Sequence, residues 1–119
     1  MKLINLTNHT INLFIGNEVI SVPSSPNMSV ARVDPKQELE TVIDGIPIKR
    51  TTYKSTENIN IPDPIPNTMF IVSSLVAMHN PDRRDLVSPN VHPDQVIRDR
   101  NRMVVGVKSL QCFWRGYSE

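Results

Sequence analysis

QELETVIDGIPIKRTTY, residues 37–53, decides the fold class. Two arms rich in β-branched residues, 37–43 and 46–53, flank Asp44-Gly45. A two-residue hairpin loop of type I′ needs positive φ at both central positions, which Asp-Gly adopts with little strain. The stretch therefore predicts a β-hairpin closed at Asp44-Gly45. Pro47 has no N–H for a ladder, so the second arm is expected to be an edge strand or to begin beyond it.

The same grammar runs outward in both directions. Ile11, Leu13 and Ile15 alternate with Asn12 and Phe14, the period of a half-buried strand. Gly16-Asn17 separates that run from 18–22, and glycine first in a two-residue loop suits a II′ turn. Residues 2–6 read as one more short strand, and Pro23-Ser24-Ser25-Pro26-Asn27 as a turn cluster. Downstream, Ile61-Pro62-Asp63-Pro64-Ile65-Pro66 places proline at alternate positions, which enforces an extended segment without ladder donors. It reads as a rigid surface strap or as a strip that recognises a partner. The apolar run 69–72 suits a central buried strand, and 73–78 suits one or two helical turns stopped by Pro81. Val96-Ile97 and 103–107 read as two strands joined through 99–102, with Phe113 and Trp114 as a late apolar cap. The expected fold is mainly β: a small single-domain barrel or sandwich of short hairpins with one or two helical turns. It would span residues 1–110 and leave 111–119 as a tail.

Lys and Arg number 13 and Asp and Glu 12, a formal charge of +1. That balance argues against a duplex nucleic-acid coat or a polybasic membrane anchor. A single cysteine, Cys112, excludes an internal disulfide framework and a Cys-cluster zinc site. Apolar runs stop at four or five residues, so neither a transmembrane helix nor a signal-peptide core is expected. The reading is a cytoplasmic protein, in the host cytoplasm if the chain is viral. The sequons at Asn5, Asn8 and Asn27 are then decoys.

Candidate chemistry is sparse. His9, His79 and His92 lack metal-ligand spacing, so no metal and no cofactor are expected. A triad of Ser73 or Ser74 with His79 and Asp85 can be written down, but residues so close in sequence rarely converge on one reacting atom. Four glycines in 119 residues build no phosphate loop. What remains is arginine, whose planar fork grips phosphate or carboxylate through paired donors. Residues 82–102 carry Arg83, Arg84, Arg98, Arg100 and Arg102 beside Asp82, Asp85, Asp94 and Asp99. These arginines either project outward to an anion or pair with the aspartates as solvated ion pairs. Asn5, Thr7 and His9 share one face if the strand continues, either as a wet face or as a row of ligand-facing polar groups.

Asn5-Leu6-Thr7-Asn8-His9-Thr10-Ile11, Ala31-Arg32-Val33, Ile46-Pro47-Ile48-Lys49-Arg50, the run 70–77 (FIVSSLVA) and the stretch from Pro81 through Asp99 together resemble a family of small uncharacterised proteins of phages and bacteria. The resemblance extends to about residue 110. Asn8 replaces a proline of the family pattern, and Asn101-Arg102 replaces a turn glycine. It implies a compact accessory protein with a shared binding surface. The expected function is non-catalytic: binding and sequestering a small anionic, nucleotide-like ligand such as a host immune signal, and so countering host defence. His9, Arg32, Arg50, Ser73, Arg83, Arg84, Asp85 and Arg98 are the expected ligand-binding residues. The alternatives are a protein-interaction inhibitor of a host enzyme, docking through the strap and residues 112–117, and a small nucleotide hydrolase. Edge strands also leave room for a homo-oligomer.

Overall fold

The structure, a computed structural model, describes residues 1–116, and of residues 53–58 the backbone alone. Among the described residues the order is β1 (Lys2–Asn5), β2 (Ile11–Ile15), β3 (Glu18–Val22), β4 (Arg32–Ile43), β5 (Ile46–Ile59), β6 (Thr68–Ile71), α1 (Ser74–Met78), β7 (Leu86–Pro89), β8 (Val96–Arg98), β9 (Val104–Val107) and β10 (Leu110–Gln111). The protein is mainly β with one short helix, the class expected from its sequence.

Both hairpin turns form as their residues dictate. Asp44 and Gly45 take φ of 48° and 77°, and Ile43 pairs with Ile46 around them. Gly16 takes φ of 60° between the paired Ile15 and Glu18. The β4–β5 ribbon extends well past the expected arms, with register shifts around Pro35 and Glu40. Among the described residues it pairs with no other strand, so Pro47 sits on an edge.

The remaining strands form two four-stranded sheets, ordered β1-β6-β7-β10 and β3-β2-β9-β8. Parallel pairing holds the first together: β1 to β6 from Lys2↔Thr68 to Asn5↔Ile71, and β6 to β7 at Phe70↔Leu86 and Ile71↔Val87. In the second, β2 meets β9 in parallel at Leu13↔Val107. Strand β6 is buried on both faces, as its unbroken apolar run requires. Ile71 faces Ile11, Leu13, Val87 and Val107, a core shared by the two sheets. Phe70 turns the other way, onto Leu6, Val33, Val76 and Ala77 beneath α1 and the root of β4. Sheet, sheet and a thinner covering layer make a sandwich.

Residues 110–114 belong to this body. Gln111 pairs with Ser88 in β10, so a strand runs across the expected 110/111 boundary. Phe113 packs on the inner core and Trp114 on the shared one. Tyr117, part of the expected aromatic docking tail, lies outside the described residues. Residues 61–66 carry no regular structure; Ile61 packs on the core, and Arg83 Nη2 donates to the Pro62 carbonyl at 2.9 Å. The strap is therefore clasped to the body. Among the described residues no helix is long and apolar enough to cross a membrane.

Candidate functional site

Asn5 organises a place where three of the expected binding residues meet. It ends β1 fully buried, and all four hydrogen bonds its amide can make are made. Nδ2 donates to the His9 and Val22 carbonyls at 2.9 and 2.8 Å. Oδ1 accepts the Thr7 amide N–H at 2.9 Å and the Thr7 hydroxyl at 2.6 Å. Ser24 Oγ then donates to the Thr7 carbonyl. The polar face read onto Asn5, Thr7 and His9 is thus neither a wet strand nor a row of ligand contacts. The strand stops at Asn5, two of the three side chains turn inward, and their bonds fold residues 7–9 into a tight loop. His9 is left outside, at the rim of a cavity.

That cavity has a volume of about 520 Å³. Val30, Ile11, Pro89, Val91, Val104 and Val105 supply apolar wall, and Asn8, His9, Arg32 and Ser73 supply polar groups. Gly106 closes the β9 side: a Cβ there would lie 2.3 Å from the Phe14 ring and 2.7 Å from the Asn12 carbonyl, so only glycine fits. His9 Nδ1 lies 2.9 Å from Asn8 Oδ1. An amide oxygen only accepts, so Nδ1 carries the proton and Nε2 is the acceptor while the ring is neutral. The Arg32 guanidinium stands 3.8 Å from the Asp34 carboxylate, beyond hydrogen-bond length, and both side chains are exposed. Its donors remain available to an anion. Ser73 is the N-cap of α1 and accepts the Val76 N–H at 3.3 Å, which leaves its O–H proton to donate.

The other expected residues are elsewhere. Arg50 lies on the β4–β5 ribbon, joined to Glu40 by two hydrogen bonds of 2.9 and 2.6 Å that raise its pKa and lower that of Glu40. Arg83 turns inward, not outward: it holds Asp85 through contacts of 2.8 and 2.7 Å, as well as the strap. Hydrogen bonding to Asp85 raises the Arg83 pKa further above its ordinary range. Arg84 Nη2 is 3.4 Å from the Arg115 carbonyl, and Arg98 Nη1 donates to the Arg102 carbonyl at 2.7 Å. None of these five, Asp85 included, lines the cavity. The expected aspartate pairing holds for Asp85 but changes elsewhere: Asp82 pairs with Arg115, and Asp99 Oδ1 accepts the Asn101 and Met103 amides.

No family model, curated protein or solved structure matches this chain. The cavity itself is what any functional reading stands on. His9, Arg32 and Ser73, from three separate segments of the chain, all line it. The residues of the triad written from Ser73 or Ser74 with His79 and Asp85 have partners of their own. Ser73 caps α1, His79 Nδ1 bonds the Leu75 carbonyl at 2.8 Å, and Asp85 holds Arg83. Among the described residues no three His, Cys, Asp or Glu side chains group as a metal site would need. The walls, Val30, Val91, Val104 and Val105, were not signalled: valines in loops and short strands look alike in sequence whether they line a core or a cavity.

Proposed function

We propose that the cavity binds and retains a small anionic ligand with an apolar, planar body, the chemistry of a nucleotide. One observation carries this reading: residues 9, 32 and 73 meet in a single apolar-walled cavity. Arg32 offers a fork of donors to a phosphate, and His9 and the Ser73 hydroxyl offer directional contacts to base or sugar. The valine walls remove the flat face of a base from water. A volume of about 520 Å³ falls within the range of small-molecule sites. A protein acting this way would withdraw a nucleotide signal from its receptor without turning it over. Arg50, Arg83, Arg84, Asp85 and Arg98 have no part in it.

The test is calorimetric titration with nucleoside mono- and diphosphates and cyclic dinucleotides. A binder should emerge whose affinity falls with added salt. Arg32→Ala should weaken it about tenfold or more, the cost of one charge-assisted hydrogen bond, with the melting temperature unchanged. Indifference to every nucleotide offered, or full affinity in Arg32→Ala, would overturn the reading.

A further inference from the structure

Two groups of exposed apolar side chains on this molecule have opposite shape. One is the tip of the β4–β5 ribbon. Leu39, Val42, Ile43, Ile46 and Ile48 are each 41–62 % exposed there. Register and alternation put Ile43, Ile46 and Ile48 on one face of the ribbon, and Leu39, Val42 and Pro47 on the other. The tip is apolar all round. The other place is the cavity, whose Val30, Val91, Val104 and Val105 are 38–63 % exposed. One is a knob and the other a hole.

Within one chain they do not meet. Arg32 stands in the cavity wall as the first residue of β4, and Ile43 is eleven residues farther along an extended strand, about 36 Å away. The radius of gyration, 16.9 Å against about 13.5 Å for a compact chain of this length, fits such a projecting arm. An isolated two-stranded ribbon is marginally stable in water, so an arm this long and apolar needs a partner. Adding a strand to its edges is disfavoured by Pro47 on one side and by the register shifts at Pro35 and Glu40 on the other.

We propose that two copies of this chain assemble by exchanging arms, the Asp44-Gly45 tip of each seating in the other's cavity with the Asp44 carboxylate toward Arg32. Charge supports the match: the knob ends in an aspartate, and the hole holds an arginine only loosely engaged by Asp34. Length supports closure as well. Each arm starts at one cavity and ends in the other, so two antiparallel arms span the same gap and the pair closes as a dimer, not a filament. The exchange does not depend on the nucleotide reading, but tip and ligand compete for one cavity.

Sedimentation velocity on the full chain tests this. The expected result is a dimer at micromolar concentration. Its dissociation constant should rise about tenfold or more in Ile43→Thr/Ile46→Thr, which keeps β-branching at both positions, and likewise in Val91→Asp on the cavity side. Asp44→Asn preserves the turn chemistry and should weaken the dimer severalfold while flattening its salt dependence. A wild-type monomer throughout, an open ladder of polymers, or a dimer indifferent to both tip and Val91 variants would each overturn the exchange. Calorimetry on the tip variant separates the two readings: nucleotide binding there with no dimer in the wild type leaves only the exchange refuted, and a tip-dependent dimer that ignores nucleotides leaves only the ligand reading refuted.

Discussion

Two residues show how much a single position decides. Asn5→Ala removes an amide whose four hydrogen bonds are made in the interior, and strands two carbonyls and an N–H without that partner. Each such group costs about 1–3 kcal/mol when left unpaired. The expected loss is several kcal/mol, read as a fall in denaturation midpoint, together with loss of ligand binding as the His9 loop opens. Arg102 is the reverse case. It holds φ of 63° in the turn between β8 and β9, a conformation that penalises a Cβ by about 1–2 kcal/mol. Arg102→Gly should therefore raise stability, by about 0.5–1 kcal/mol once glycine's greater unfolded freedom is counted. Thermal unfolding would show a rise of a few degrees, and a fall would mean that side-chain contacts at Arg102 outweigh the backbone strain.

At the scale of elements, what is local was legible and what is distant was not. Both hairpins could be read because their turn residues and both partners lie within a few positions. The helical turn ahead of Pro81 was readable for the same reason. Parallel pairing of β1, β6 and β7 leaves no such trace, since the partners are separated by loops, a strap and a ribbon. The arginines illustrate the same limit. Their side chains were visible as candidate anion donors, but whether a guanidinium faces outward or clasps Asp85 and Pro62 depends on a strap twenty residues away. The ribbon carries a titration that checks its own geometry. Glu40 bonded to Arg50 has its pKa lowered, so the pair contributes at neutral pH and is lost as acid protonates the carboxylate. A carbonyl-detected NMR titration should place the Glu40 midpoint below that of an ordinary glutamate. Arg50→Ala should return it upward.

Across the whole molecule, stability is unevenly distributed. Phe70, Ile71 and Val72 have no exposed surface, and β6, which carries the first two, joins both cores, whereas the ribbon tip is solvated on both faces. Hydrogen exchange on dilute protein should find β6 amides opening only with global unfolding, and amides near Asp44 exchanging through local opening. Equal protection in the two places would contradict the projecting arm. The candidate site belongs to this scale too. His9, Arg32 and Ser73 could each be named from motifs, but only the assembled sandwich brings a loop, a strand root and a helix cap to one cavity.

The parallel registers have a consequence for synthesis. Lys2 waits for Thr68, and Leu13 waits for Val107, before either sheet has its partner strand. At about 5–20 residues per second, a ribosome needs several seconds to deliver the second of those partners. During that interval the first two strands have only the β2–β3 hairpin and their own apolar side chains to rely on. The Asp44-Gly45 ribbon, whose strands are neighbours in the chain, can close as soon as it emerges. The molecule's least protected element is therefore among the first to form, and its most buried strand acquires neighbours on both sides only when β7 has followed it out.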